Sequence, residues 1–514
     1  MRLSATLALV FSSLVCRPTF AADDPVNVLI IYADEYRYDC LGAAGNTEIQ
    51  TPNLDALAAD GVLYDNSFCV WPVCTPSRIS LMTGQYVKQH GGSSNRSTVL
   101  PGTPTYASIL RDAGYETSAV GKMHFTPAYQ DVGFDTMLLA EQNGRGRNVD
   151  DYHRHLKDED TLNVMDLVDQ EREFRKDAPQ GYWENFGAYV SDLPEEYHHT
   201  TWTGDRAVET ISKWTEGQGN LLMAGFLKPH HPFDPPAPWH ERYTAETTSI
   251  LPGWTDVAPA HDTRRARGYF DNSSLTIPAL KKVTAYYYAI ITHMDHHIGR
   301  IVAELKEKGL YDNTLIIFTA DHGEYMGFHH MILKGNHLYD PLAKVPLIIK
   351  YPKQKYAGVR TDELVNTLDV TSTILSATGQ KPGQDMRGEA LGKRTPGRAN
   401  PRNLIFTEDK RGLMVRDKRY KLIMDVDSTL NLFFDLENDP YELDNKLNDN
   451  DYAEIVQNFK QAALEWYMST TARRAYVDPN APMVTGDNVP KDLDATEEEM
   501  LEYFRKRVRL LLEK

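Results

Sequence analysis

Cys69-Val70-Trp71-Pro72-Val73-Cys74-Thr75-Pro76-Ser77-Arg78-Ile79-Ser80-Leu81-Met82-Thr83-Gly84 is the stretch on which the reading of this chain turns. Proline near the first helical position and glycine just past the last predict a short helix over residues 77–83, stopped by Gly84. Cys74 then lies at a helix N-terminus. Free backbone N–H groups and the helix dipole there favour negative charge on its side chain. Arg78, four residues on, shares that helix face and can point back at the charge. A free cysteine is ordinarily a small buried core residue, so the weight falls on what the rest of the chain brings beside it.

Working outward, a strand is predicted over residues 62–68, leading into the cysteine stretch. Val26-Asn27-Val28-Leu29-Ile30-Ile31-Tyr32 is a continuous apolar run of the kind a doubly covered parallel strand shows. It ends in Ala33-Asp34-Glu35, two adjacent acids that are expensive at a buried strand end unless paired or bound to a cation. Residues 116–120 form another strand and run into Gly121-Lys122-Met123-His124. Residues 220–226 form a further one, ending in Lys228-Pro229-His230-His231-Pro232-Phe233-Asp234. The prolines stiffen that loop, so an imidazole on it stays in place. Residues 315–319 precede Ala320-Asp321-His322-Gly323-Glu324, a carboxylate and imidazole pair of metal-ligand type. Polar groups delivered beyond strand ends are where open α/β sheets bind ligands.

These motifs resemble, in order, those of the type I sulfatases. Cys74-Thr75-Pro76-Ser77-Arg78 is similar to the C-x-P-x-R signature, whose cysteine is oxidised to formylglycine by a maturation enzyme. Asp34-Glu35 resembles the first metal motif, with Glu35 where Asp is usual, and Asp321-His322-Gly323-Glu324 the second. Lys122 and His124 fit G-K-x-H, and His230 fits P-H-x-P-F, with His231 as its neighbour. Gly327 to Lys334 parallels G-D-H-G-L-x-x-K, with Phe328 where Asp is usual. Asp435-Leu436-Glu437-Asn438-Asp439-Pro440-Tyr441-Glu442 resembles the turn of the C-terminal subdomain.

The resemblance implies an α/β fold, an alkaline-phosphatase-like mixed sheet sandwiched by helices, with a smaller C-terminal antiparallel sheet subdomain. It also implies hydrolysis of a sulfate monoester, of a carbohydrate or of an aryl or alkyl alcohol. Asp34, Glu35, Asp321, His322 and residue 74 would hold a divalent cation. Oxygen ligands favour Ca²⁺, and the His and Glu leave Mg²⁺ or Mn²⁺ open. Lys122 and Lys334 would hold sulfate, Arg78 fix residue 74, His124 act as base and His230 as proton donor. Two other readings stand beside this one. Phosphonate monoester and phosphodiester hydrolases share the formylglycine site, and a silent glycan-binding protein could keep the fold.

The chain has 514 residues, 41% of them hydrophobic, enough for a large and a smaller domain. The expected limits are 23–395 for the catalytic domain and 396–514 for the C-terminal subdomain. Net charge is −17 with no basic block, which argues against a nucleic-acid binder. Residues 1–22 read as a secretory signal, so the protein is expected to be secreted or periplasmic. Cys16 leaves a lipid anchor open but not favoured, and no later stretch reaches the roughly 20 apolar residues of a membrane span. Cys40 and Cys69 could pair if close. Residues 127–200, with His153, His155, His198 and His199, read as an exposed loop or insertion. Residues 278–309 read as a long helix whose Tyr and His serve packing and solvent. Residues 404–407, 412–416, 420–424 and 430–435 read as antiparallel strands. Residues 497–513 read as an amphipathic helix, with Met500, Phe504, Val508 and Leu511 on the side that packs on the body or on a second subunit. A homo-oligomer stays open.

Overall fold

The computed structural model describes residues 24–142, 144–263, 270–335, 337–393 and 402–512. The signal stretch 1–22 with Cys16, and the side chain of Leu511, lie outside the described residues. The large sheet is built from β1 (Asn27–Asp34), β2 (Val62–Phe68), β3 (Glu116–Gly121), β4 (Thr136–Leu139), β5 (Asn220–Pro229), β6 (Thr314–Ala320), β7 (Leu347–Lys350) and β8 (Val359–Asn366). Their order is β4-β3-β5-β1-β6-β7-β2-β8, parallel except for β7, which runs against both neighbours. The carboxyl ends of β1, β2, β3, β5 and β6 therefore open on one edge.

The apolar run of β1 is buried along its whole length. Leu29, Ile31 and Ala33 face one core, with the long helix Ile277–Glu307 and the helix His199–Ser212. Val28, Ile30 and Tyr32 face the other, with the helices Cys74–Thr83, Tyr106–Asp112 and Thr367–Ala377. Covering both faces is what makes the strand apolar at every position; each buried aliphatic contributes about 1.5–3 kcal/mol. The long helix starts where Thr276 accepts from Ala279 N–H, with proline in its first turn.

A second sheet is an antiparallel meander of β9 (Ile405–Glu408), β10 (Gly412–Arg416), β11 (Tyr420–Asp425) and β12 (Leu432–Asp435). One face packs on the helix Ala453–Ser469 through Val456, Phe459, Ala463 and Trp466. The other packs on Phe328, Tyr339 and Leu342 of the large domain. Thus the expected architecture of a mixed, helix-covered sheet with a smaller antiparallel one is the architecture present.

One expectation is corrected, and two open points are answered. Residues 127–200 are not an exposed insertion. They contain the helices Asp151–Asp158, Val164–Gln170, Arg172–Arg175 and Gln180–Glu184, and Leu156, Leu167, Phe174 and Tyr182 are buried. His153, His198 and His199 are buried too. The polar composition misleads because its charges pair internally, Arg147 with Asp166 (2.5 Å) and Glu171 (3.0 Å), His153 with Asp150 (2.8 Å). Cys40 and Cys69 are buried free thiols, not a disulfide. The terminal helix Leu493–Leu512 packs on the body, the first of its two expected positions, with Met500, Phe504 and Val508 in the large domain's core beside the segment 151–175.

Candidate active site

Five strand ends feed one crevice. Asp34 is the last residue of β1, Lys122 follows β3, His230 follows β5 and Asp321 follows β6. Cys74, beyond β2, is the first residue of its helix, which starts three residues earlier than the sequence predicts and ends on a left-handed Gly84. Pro76 is tolerated because first-turn N–H groups have no helical partner. β3 and β5 can come close enough because Gly121 faces Gly225. A Cβ on Gly121 would lie 2.1 Å from the Gly225 carbonyl, and one on Gly225 2.2 Å from the Lys122 carbonyl.

Cys74 has no exposed surface. Its Sγ lies 3.3 Å from His322 Nε2, 3.3 Å from Lys334 Nζ and 3.6 Å from Asp34 Oδ1. Lys122 Nζ donates to the Asp34 carboxylate and to Gln142 Oε1. The Arg78 guanidinium reaches Asp321 Oδ2 (2.8 Å), Asp34 Oδ2 (3.5 Å) and the Lys122 carbonyl (2.8 Å), and covers the Tyr32 ring. It therefore braces the two acids rather than residue 74 alone. Burial and Asp34 push the Cys74 thiol up, but Lys122, Lys334 and His322 outweigh them and hold it well below its ordinary range. The centre is thus built to favour an anion.

His322 Nδ1 donates to the Gly323 carbonyl at 2.9 Å, which leaves Nε2 facing inward, 3.7 Å from both Asp34 Oδ1 and Asp321 Oδ1. The donor atoms of Asp34, Cys74, Asp321 and His322 all lie within 4.8 Å of one another. Burial would raise Asp34, yet Lys122, Lys334 and Arg78 keep it far below the usual carboxylate range; burial and Asp34 itself raise Asp321. Two dry carboxylates sharing an inward imidazole nitrogen fit a divalent cation, whose charge would let both ionise.

Glu35 is turned differently. Its backbone, at φ 63°, donates to Asp321 Oδ1, and its Oε2 meets Lys334 Nζ and His230 Nε2, each at 3.2 Å. The donor atoms of Glu35 fall within 4.8 Å of those of His230 and His231, so its carboxylate groups with these rings and not with the four residues around Cys74. His230 Nδ1 donates to the His231 carbonyl at 2.6 Å, so Nε2 is its working nitrogen. His124 is buried, with its N–H on the Glu141 carboxylate and its carbonyl taking the Thr75 hydroxyl at 2.8 Å. Lys334, from the loop after β6, is part-exposed at 19% and marks the mouth.

Residues that sequence reasoning missed come from the segment 141–170. The Gln142 amide spans Lys122 and His230, donating to His230 Nε2 at 2.7 Å and to Gln170 Oε1 at 2.7 Å. Asp169 holds His231 Nδ1 at 2.7 Å. The one local signal was a polar dipeptide, Glu141-Gln142, shortly after a strand end.

A family profile described as sulfatase matches residues 26–380, and one described as N-sulphoglucosamine sulphohydrolase, C-terminal, matches residues 327–468. The chain is 29% identical over 471 residues to an arylsulfatase of Clostridium perfringens, covering 85% of this chain and 94% of that protein. It is also 29% identical over 500 residues to the multifunctional alkaline phosphatase superfamily protein PehA of Trinickia caryophylli, covering 87% and 96%. A solved phosphonate monoester hydrolase from Silicibacter pomeroyi superposes with a TM-score of 0.71 at 25% identity, covering 87% of this chain and 96% of that one. The chain belongs to the sulfatase family of the alkaline phosphatase superfamily, and is an enzyme of that family.

Proposed function

We propose that the chain hydrolyses sulfate monoesters of a carbohydrate or a small alcohol, using residue 74 after conversion to formylglycine. The observation that carries this is the convergence on Cys74 of Lys334, His322 and Asp34 within 3.3–3.6 Å, with Lys122 behind Asp34. Asp34, Asp321 and His322 would hold a divalent cation together with residue 74, with Glu35 joining them only as the motif implies; oxygen donors favour Ca²⁺. When bound, that cation supplies Lewis-acid stabilisation of charge on oxygen. The matured side chain supplies a hydrated aldehyde, with one hydroxyl to bond to sulfur and a second that lets sulfate leave by elimination.

The chain's own groups do the rest. Lys122 and Lys334 hold sulfate oxygens from two sides, where developing charge is best met by fixed cations. Arg78 keeps Asp34 and Asp321 in place. His230 is the proton donor once it is protonated to imidazolium with the anionic substrate bound: Nδ1–H stays on the His231 carbonyl, Gln142 keeps its amide N–H on Gln170, and the proton gained at Nε2 passes to the departing alcohol. Burial, His231 and the two lysines keep that ring well below its ordinary range, and an anionic substrate beside it opposes those lysines. His124 takes the proton of the second hydroxyl. Gln142 holds Lys122 and His230 in register.

A second reading, a phosphonate monoester or phosphodiester hydrolase, is favoured by the likeness to the Silicibacter hydrolase. Kinetics with aryl sulfate against aryl phosphonate and phosphodiester decide between them. Mass spectrometry of the peptide over residue 74, after co-expression with a formylglycine-generating enzyme, tests the modification. Higher kcat/KM for the sulfate with an aldehyde at residue 74 supports the first reading; preference for phosphorus, or an intact thiol in active protein, removes it. We also propose export from the signal-like residues 1–22. Among the described residues no helix is long and apolar enough to cross a membrane.

A further inference from the structure

Away from this crevice, the long helix Ile277–Glu307 carries His293 and His297, four residues apart and on one face. Both are buried, and their Nε2 atoms lie 3.1 Å apart. The short turn Glu195–Tyr197 brings Glu195 Oε1 to 3.6 Å from His293 Nε2. Thr201 Oγ1, on the neighbouring helix, lies 3.3 and 3.2 Å from the two ring nitrogens. The donor atoms of Glu195, His293 and His297 fall within 4.8 Å of one another. A tetrahedral zinc ion with nitrogen ligands at 2.0–2.1 Å sets its ligand atoms roughly 3.3–3.4 Å apart. The contacts of 3.1–3.6 Å bracket that edge. Two imidazoles and a carboxylate are also a zinc donor set. Glu195 is 35% exposed on its side chain, which gives an ion a way in while the rings stay dry.

We propose that His293, His297 and Glu195 bind a zinc-class divalent cation, with the Thr201 hydroxyl or a water in the fourth position. Its work is structural. It pins the turn that closes the segment 141–197 onto the long helix, and that segment supplies Gln142 and Gln170 to the active site. One group competes with the ion. Arg300 NH1 donates to His297 Nδ1 at 3.0 Å, which in the metal-free protein leaves the ring proton on Nε2. Ligation moves that proton, through solvent, to Nδ1 and sends Arg300 onto Asp205. It already touches Asp205 at 2.6 Å, and its side chain is 40% exposed, so the shift is easy.

The test is a Co²⁺ titration of chelated full-length protein carrying Asp34→Asn and Asp321→Asn, repeated on the unsubstituted protein under excess Ca²⁺ in case the double variant folds poorly. One equivalent should give ligand-field bands of tetrahedral intensity, displaced by Zn²⁺. Trp239 fluorescence should be quenched, since its ring lies 4.9 Å from that of His293. Glu195→Gln should weaken binding by at least roughly 10-fold, the smallest cost of losing even a group that only supports a ligand, with unchanged circular dichroism; His297→Ala should abolish it, and Arg300→Gln should tighten it. Absence of the bands, or equal binding in Glu195→Gln and His297→Ala, overturns the proposal and leaves a hydrogen-bonded histidine pair.

Discussion

The rim of strand ends and the wall built by residues 141–170 meet at Lys122 and His230, yet the chain encodes them in opposite ways. Each rim residue stands within a few positions of the end of a buried strand, so the sheet itself sets its place. Only the near edge of the wall has such a ruler, Gln142 standing three residues past β4; Asp169 and Gln170 meet His231 and Gln142 only after distant segments fold together. The difference teaches a division of labour. The rim holds the charges that the reaction needs, and the wall aims them.

That division can be broken or sharpened by substitution. Cys74→Ala should lower kcat by roughly 10⁶-fold, as loss of other covalent nucleophiles does, while circular dichroism stays native. His230→Ala should cost about 10²–10⁴-fold on an alkyl sulfate and far less on an aryl sulfate with an acidic phenol; equal losses on both would deny it the proton. Lys122→Ala or Lys334→Ala should each cost about 10²–10³-fold in kcat/KM, whatever the leaving group. On the wall, Gln142→Ala removes hydrogen bonds worth about 1 kcal/mol each. A fall of only roughly five- to tenfold that varies among sulfated sugars, read in kcat/KM, would mark it as aiming. A loss as large as that of Lys122 would erase the distinction between the two regions.

The seam to the small sheet belongs to neither region and should move stability, not turnover. Glu408 bonds the Lys88 N–H, and burial raises its carboxyl to about 7. The folded protein therefore holds that proton more tightly than the unfolded chain. This contribution is complete below the unfolded value near 4.5 and is lost as pH climbs through 7. Between pH 5 and 8 it amounts to at most about 3 kcal/mol. Denaturant melts of Glu408→Gln should show a flatter pH profile, with kcat unchanged.

Much of this was readable beforehand. β1, β5 and β6 announce themselves as unbroken apolar runs, and the polar residues just past them are the rim. Lys334 was found only through its motif, since no strand delivers it. The wall stayed hidden because its interior is polar. Arg147, Asp166, Asp150 and His153 look like solvent residues until their partners are known. Glu35 was expected beside Asp34 as a metal ligand, but the backbone turn at φ 63° sends its carboxylate toward Lys334 and His230. The histidines of the long helix were read as packing, because the carboxylate that reaches them, Glu195, lies about a hundred residues earlier in the chain.

Cys74 has no exposed surface in the finished fold. On the chemistry proposed above, the protein that rewrites this side chain must grip the Cys74–Arg78 peptide while the strands around it are still apart. Maturation is then a race against collapse, and a variant that folds faster would emerge from the cell with more of its thiol untouched.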